Sequence, residues 1–347
     1  MVGSGAVGSR VARQLMSLPG ESSVLVVDPD RARGAAVAEA LGPGAAAGPW
    51  SARSVSASEV VVLASPGLHH SLAEQALDLG VHVVSVTDDD QAARRLLELD
   101  GKASGRGCHL VVGAGFSPGL SCVLARHAAH DLERVHEIRV ARWGSGGPAC
   151  ARGRQKALAS VSTPRWRLGP WMRSLAGTGR ELCWFPEPVG GQGCAPARVA
   201  DPLLLAPAFP DAEIVARIGA TRRERYASLL PPIGRPQVEG TLGAVRVEVR
   251  GTTNGEPASV VLGAVDRPAV AAGTVAAIAA SWAVAGRLAR PGAAGLAEMV
   301  TDPVPLLHEL AQLGVRAAVL DAGNGDRPGQ PAQPGTGRRG EQVTGPR

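Results

Sequence analysis

The residues best suited to chemistry stand at the start of the chain, in the run Gly3-Ser-Gly5-Ala-Val-Gly8. Glycines with this spacing allow a tight turn and let backbone N–H groups and a helix N-terminus approach a pyrophosphate. Asp28 comes 20 residues after Gly8. A carboxylate at the end of a second strand can accept hydrogen bonds from the hydroxyls of an adenosine ribose. The pattern therefore predicts a dinucleotide site.

The charges near this site bear on which dinucleotide it takes. Asp28 favours NAD, because a carboxylate repels the 2′-phosphate of NADP, whereas Arg31 or Arg33 could hold that phosphate. Ser65 and Pro66 follow a buried strand and are expected beside the nicotinamide half. We predict an NAD(P) site that prefers NAD. Its expected contacts are Gly3, Ser4, Gly5, Ala6, Val7, Gly8, Asp28, Arg31, Ser65 and Pro66.

These residues need a parallel sheet to position them. β-branched runs such as SSVLVVD (22–28) and EVVVLA (59–64) alternate with helical segments such as 31–42 and 69–80. This alternation predicts an α/β fold with a doubly wound, Rossmann-type parallel sheet. Only Met1 and Val2 precede the glycines, although a strand typically has about 5–6 residues. The first strand is therefore predicted to be truncated, and we expect a few more apolar residues upstream in the native chain.

The pattern changes after about residue 130. Polar and apolar residues alternate in 133–143, 241–251 and 258–266, which predicts a second, α+β domain on a mixed or antiparallel sheet. Helices are predicted again at 268–290, at 302–314 and over the following VRAAVLDA. The predicted organisation is a dinucleotide-binding domain (1–130) completed by helices in 268–322, a substrate and dimerisation domain (131–267), and a disordered Pro/Gly-rich tail (323–347).

Composition argues against several other classes of protein. The net charge is +5, and nearly all of the basic side chains are arginines, since Lys102 and Lys156 are the only lysines. The sequence has no stripe of basic residues interleaved with aromatics, so it gives no indication of nucleic-acid binding. The five cysteines lack CxxC or Cys/His spacing, so we expect reduced thiols and no metal site. No signal peptide is evident, and the Ala-rich segment 268–286 is interpreted as a buried helix. A cytoplasmic protein without membrane contact is expected.

Three stretches carry a family resemblance. They are VVVLASPGLHHSLAEQALDLGVHVVSVTDDD, VVGAGFSPGLSCVLARHAA (111–129) and, near the end, DPVPLLHELAQLGV. They resemble the saccharopine dehydrogenase-like family of NAD(P)-dependent oxidoreductases, closely over 1–130 and loosely over 268–320. The resemblance implies hydride transfer at a C–N bond of an amino-acid-derived substrate by a homodimer. Ser117 departs from the family pattern, which has Asp before Pro-Gly.

The resemblance also suggests where the substrate binds. Phe116, Ser117 and Arg142 are the candidate substrate contacts, with Arg165 and Arg167 as further arginines able to hold a carboxylate. His69 and Asp89 are the candidate catalytic residues, and Lys156 is a third possible proton donor.

Two other functions stay open at this point. One is a Rossmann dehydrogenase of another substrate class, such as a sugar or semialdehyde; the other is a non-catalytic dinucleotide-binding sensor. Two or more arginines converging on the substrate cleft would favour an enzyme acting on a dicarboxylic substrate. A closed or apolar cleft would favour the sensor.

Overall fold

The fold was analysed in a computed structural model. The structure describes residues 1–20, 23–144, 146–159, 162–166, 171–175, 179–219 and 241–320. The predicted disordered tail and Arg167 lie outside these residues, as does the side chain of Arg165.

The N-terminal half forms the predicted parallel sheet. Its strands in chain order are β1 Val24–Val26, β2 Ala45–Ala47, β3 Val60–Leu63, β4 His82–Ser85 and β5 His109–Val112, and a late strand, β14 Gly292–Ala294, pairs with β5. Its helices are α1 Ala6–Ser17, α2 Arg31–Leu41, α3 Ala52–Ser56, α4 His69–Asp78, α5 Asp90–Leu97 and α6 Asp100–Gly105.

Met1 and Val2 occupy the central strand position of this sheet. The Val2 N–H donates to the Val62 carbonyl, and the Val2 carbonyl accepts from Ala64, both at 2.8 Å. On the other side, the Val27 N–H donates to Met1 and the Gly3 N–H to Val27. Two residues thus join β1 to β3, giving the strand order of a doubly wound fold.

The described residues form nine strands of the second sheet. Its main order is β15-β13-β12-β6-β11-β10-β9, with β7 against β11 and β8, and β6 and β11 are parallel. The strands are β6 Arg134–Trp143, β7 Ser162–Trp166, β8 Trp171–Leu175, β9 Glu181–Trp184, β10 Gly191–Pro196, β11 Glu213–Gly219, β12 Gly243–Thr253, β13 Glu256–Asp266 and β15 Ala317–Val319. The mixed second sheet predicted from the alternation is confirmed.

The remaining helices pack between and around the sheets. They are α7 Leu120–Ala128, α8 Pro148–Ala159, α9 Asp201–Leu205, α10 Pro268–Val284, α11 Leu296–Met299 and α12 Pro303–Gln312. α7 leaves the parallel sheet and lies on β12 and β13, while α10 packs on α1, β3 and β4. One apolar core therefore runs continuously from the first sheet to the second. None of the described helices is long and apolar enough to cross a membrane.

Residues 89–103 contain two helices, α5 and α6, because the chain turns at Glu98 and Leu99. One local prediction was wrong. The helix expected over VRAAVLDA is the strand β15, which pairs with β13. There the free edge of a sheet outweighs the helix propensity of alanine. The interval 268–322 thus contributes to both sheets.

Candidate dinucleotide and substrate site

The glycine loop has the shape that a pyrophosphate needs. Gly3 has a φ of +94°, and a Cβ there would lie 2.6 Å from the Ser65 nitrogen. A Cβ on Gly8 would lie 1.7 Å from the Gly3 carbonyl oxygen, so the loop closes tightly on the start of α1. Gly5 instead opens onto space with no protein atom within 4 Å of a Cβ. The backbone there can receive a phosphate, and the loop fits a dinucleotide.

Asp28 lies at the end of β1 beside this loop. Its Oδ2 accepts hydrogen bonds from the backbone N–H and the hydroxyl of Ser4, and its Oδ1 pairs with Arg33 at 2.7 Å. Burial raises the pKa of Asp28, but the hydrogen bonds from Ser4, Arg33 and Asp30 outweigh it and bring the pKa to about 2. Arg31, the arginine chosen from the sequence, is exposed at the first residue of α2.

His69 holds the loop that contains Ser65 and Pro66. It is buried at the start of α4, with Nδ1 2.7 Å from the Ser85 hydroxyl and Nε2 against the Ser65 carbonyl. A carbonyl only accepts, so Nε2 carries the proton and Nδ1 accepts from Ser85. Burial lowers the pKa of His69. Because both ring nitrogens are occupied within the protein, this geometry favours a positioning role over proton transfer.

Three consecutive aspartates follow β4, and each has a basic partner that lies between residues 142 and 198. Asp88 pairs with Arg142 at 2.9 Å, Asp89 lies 3.7 Å from Lys156, and Asp90 pairs with Arg198 at 3.3 Å. Asp89 also caps α5 by accepting from the Ala92 N–H. An open cleft is lined by Asp88 and Asp89 together with Arg142, Lys156 and Arg198. Three cationic and two anionic side chains thus meet at the carboxyl edge of the parallel sheet.

Arg142 joins this cleft to the Pro-Gly loop. Its guanidinium donates to the Ser117 carbonyl at 2.7 Å as well as pairing with Asp88, and its Nε is buried without a partner among the described residues. Burial lowers the pKa of Arg142, but the carboxylates of Asp88 and Asp201 raise it more. The guanidinium therefore stays charged, and its buried Nε is the nitrogen that has no partner among the described residues.

Asp201 brings a carboxylate to Ser117, the position where the family pattern has Asp. Its Oδ1 accepts from the hydroxyls of Ser117 at 2.8 Å and Ser121 at 2.6 Å. Asp201 is fully buried, its Oδ2 has no partner among the described residues, and burial raises its pKa. The carboxylate comes from α9, far along the chain.

The structure divides the candidate catalytic and substrate-binding residues between two places. It brings Ser117, Asp89, Arg142 and Lys156 to one place, with Phe116 buried behind them, and it sets His69 against Ser65 and Ser85. Sequence reasoning missed Asp88, Arg198 and Asp201. The acidic run 88–90 was a signal for the first, whereas nothing in the sequence singles out the other two.

Comparisons with known proteins agree with this architecture. Residues 1–87 match the sequence model of an oxidoreductase family with an NAD-binding Rossmann fold. A search of curated protein sequences finds no match.

Solved structures give matches over nearly the whole chain. Saccharopine dehydrogenase (L-Glu forming) from Saccharomyces cerevisiae aligns with a TM-score of 0.65 and 15% identity, over 92% of this chain and 98% of that one. A probable dehydrogenase from Thermotoga maritima aligns with a TM-score of 0.50 and 11% identity, over 92% and 97%. The resemblance found in the sequence is confirmed at the level of the fold. Residues 1–87 are thus similar to an oxidoreductase family with an NAD-binding Rossmann fold, and the whole chain has the fold seen in saccharopine dehydrogenase.

Proposed function

We propose that this protein is an NAD(P)-dependent oxidoreductase that transfers a hydride at a C–N bond of an amino-acid-derived substrate bearing carboxylates. The observation that carries the proposal is the convergence of Arg142, Lys156 and Arg198 on one cleft beside Asp88 and Asp89. Two arginines in that cleft are the feature expected of an enzyme acting on a dicarboxylic substrate, and not of a closed sensor.

The charges of the cleft match an amino-acid-like molecule. Arginine can bind a carboxylate through parallel N–H donors, and the cleft carries two arginines and a lysine, Arg142, Arg198 and Lys156. Aspartates beside it can receive the ammonium or iminium group of the same molecule. A neutral sugar would bring no charge to interact with these ionic side chains, which favours the amino-acid class.

Residues of the chain would then divide the work of catalysis. The glycine loop and the Ser65–Pro66 turn would hold the dinucleotide, which supplies the hydride when bound. Phe116, Ser117 and Arg142 would orient the substrate. Lys156, 76% exposed and 3.7 Å from Asp89, is the group we propose for proton transfer together with that aspartate.

The proposal includes an organisation of the whole chain. Residues 1–130, completed by helices in 268–322, would bind the dinucleotide, and 131–267 would bind substrate and form a homodimer in the cytoplasm. The packing of α10 on α1 and the pairing of β14 with β5 support the first division.

A paired-substrate screen tests the proposal. Oxidation of NADH and NADPH is followed with pairs of amino acids and keto acids, and we expect turnover with at least one pair that bears two carboxylates. Lys156→Met should then lower kcat/KM by about 10- to 100-fold, the range for a lost hydrogen bond to a charged group, without changing NADH affinity.

Lys102 provides the matched control, because it is the other lysine and pairs with Glu74 and Asp78 away from the cleft. Lys102→Met should leave kcat/KM unchanged. Tight NADH binding with no turnover on any pair would overturn the enzyme assignment and favour the sensor.

A further inference from the structure

The carboxylate expected to recognise the ribose is already fully occupied. The Asp28 side chain is only 1% exposed. Its Oδ2 accepts twice from Ser4 at 2.6 Å, and its Oδ1 accepts from the Asp30 N–H at 2.9 Å and from Arg33 Nη2 at 2.7 Å. An ionised carboxylate offers about four acceptor sites, so Asp28 has none left for a ribose hydroxyl.

Arg33 is the partner that covers Asp28. Its Nη2 pairs with Asp28 while its Nε donates to the Ser4 hydroxyl at 3.3 Å. The guanidinium therefore bridges the glycine loop and the end of β1, the place where a Rossmann fold binds the adenosine ribose. The side chain is nevertheless 54% exposed, and about three of the five N–H donors of a guanidinium stay available.

The charge at this place is thus the reverse of what the sequence suggests. The carboxylate is buried and neutralised by its partner, while the exposed group is a cation with a planar fork of donors. Such a fork pairs well with a phosphate. A ribose hydroxyl gains an acceptor here only if Arg33 first leaves Asp28.

We propose that Arg33 determines the nucleotide specificity of this protein: it binds the 2′-phosphate of NADP, and it competes with the ribose of NAD for Asp28. The protein accordingly binds NADPH more tightly than NADH. Arg33 is the specificity residue and Asp28 the residue that positions it. The inference rests on the dinucleotide site alone and is independent of the proposed substrate.

Direct titration without substrate tests this. The dissociation constants of NADPH and NADH are measured by nucleotide fluorescence for the wild type, Arg33→Ala and Arg106→Ala. Arg106 is an exposed arginine just before β5, at the opposite edge of the sheet, and matches the change in charge. We expect Arg33→Ala to weaken NADPH binding at least 10-fold and to strengthen or preserve NADH binding, while Arg106→Ala changes neither constant.

Arg33→Lys distinguishes the contribution of the two parallel N–H donors from that of the positive charge. It keeps the cation but not the two parallel donors, so NADPH binding should fall between that of the wild type and Arg33→Ala. Melting curves of each variant show that it is folded, since Ser4 and Asp30 still bond Asp28. An unchanged ratio of the two constants in Arg33→Ala, or a wild type that prefers NADH, overturns the proposal. An enzyme inactive on every substrate pair leaves these titrations intact and counts only against the proposed reaction.

Discussion

The backbone N–H and the hydroxyl of Ser4 both donate to a single oxygen of Asp28, Oδ2, each at 2.6 Å. These bonds tie the glycine loop to the end of β1 across 24 residues of chain. The loop is therefore held in shape before any ligand arrives.

Ser4→Ala removes the hydroxyl from this arrangement. We expect the free energy of unfolding at pH 7 to fall by about 1.5–3 kcal/mol, the range for a hydrogen bond to a charged group. The pKa of Asp28 is about 2 in the folded protein and about 3.9 in an unfolded chain. Its contribution is present above pH 4 and is lost as the pH falls towards 2, so the difference between variant and wild type should shrink over that window.

Urea unfolding from pH 7 to pH 2 measures this effect. Ser17→Ala is the control, because Ser17 is an exposed serine at the end of α1, and its hydroxyl bonds within that helix to Gln14. It should change stability by less than about 0.5 kcal/mol. If Ser4→Ala lowers the free energy of unfolding equally at pH 7 and pH 2, the hydrogen bond to ionised Asp28 is not the cause of the loss.

Substitution of alanine for two glycines of the loop should weaken NADH binding in both cases but lower the melting temperature in only one. Gly8→Ala puts a methyl group against the Gly3 carbonyl, so it should lower the melting temperature and abolish NADH binding. Gly5 has a φ of −75° and open space around it, so Gly5→Ala should melt like the wild type and still bind NADH at least 10-fold more weakly. Thermal melts with NADH titrations check both. Wild-type affinity in Gly5→Ala would show that no phosphate approaches that backbone.

Asp201→Asn should be tolerated because burial penalises the charged form. Burial raises the pKa of Asp201 above its ordinary value, so the wild type loses stability as the pH rises from about 4 through that raised pKa. Asparagine keeps an oxygen for Ser117 and Ser121. The free energy of unfolding of the variant should therefore increase relative to that of the wild type as the pH rises, and at pH 7 it should be at least as large.

Asp201→Ala is the comparison, since it leaves two buried hydroxyls without an acceptor and should cost about 1–3 kcal/mol. Denaturant curves between pH 4 and 8 measure both variants. If Asp201→Asn is as damaging as alanine at pH 7, the charge itself is needed by Arg142.

The pair His82 and His109 should make the fold sensitive to mild acid. The His82 Nδ1 accepts from the His109 backbone N–H at 3.0 Å, and the ring centroids are 5.2 Å apart. Burial lowers the pKa of both rings, and the charge of His82 lowers that of His109 further. An unfolded histidine titrates near 6.5, so the unfolded chain binds more protons and stability falls as the pH drops below about 6.5.

Unfolding free energies between pH 8 and 5 test this dependence. His109→Gln keeps a polar side chain but removes one titrating group, so its stability should fall less steeply with acid than that of the wild type. An equally steep fall in both proteins would show that His109 is not part of the effect.

Much of the fold follows from local patterns. The glycine spacing with Asp28 predicts a candidate dinucleotide site, because both features depend on backbone geometry within one β-α-β unit. The alternation in 133–143 and 241–251 identifies strands with one wet face, and the structure pairs them as β6 and β12. Such features depend on residues close in sequence, where side-chain period and turn chemistry act directly.

The cleft proposed for the substrate depends on contacts that no local pattern encodes. Arg198 meets Asp90 across 108 residues, and Asp201 meets Ser117 across 84. Charged residues look alike along a chain, and burial and an opposite charge distinguish them only after folding. β15 is likewise a strand because the edge of β13 is free to receive it.

Asp28 depends both on local sequence spacing and on tertiary contacts. Its position 20 residues after Gly8 was enough to predict that it lies beside the glycine loop, because β1 and that loop must end at the same edge of the sheet. Whether its oxygens are available was decided by Ser4 and Arg33, which reach it only when α1 and α2 have packed beside β1. Sequence spacing determines where a functional group lies, and tertiary packing determines which of its hydrogen bonds are already made.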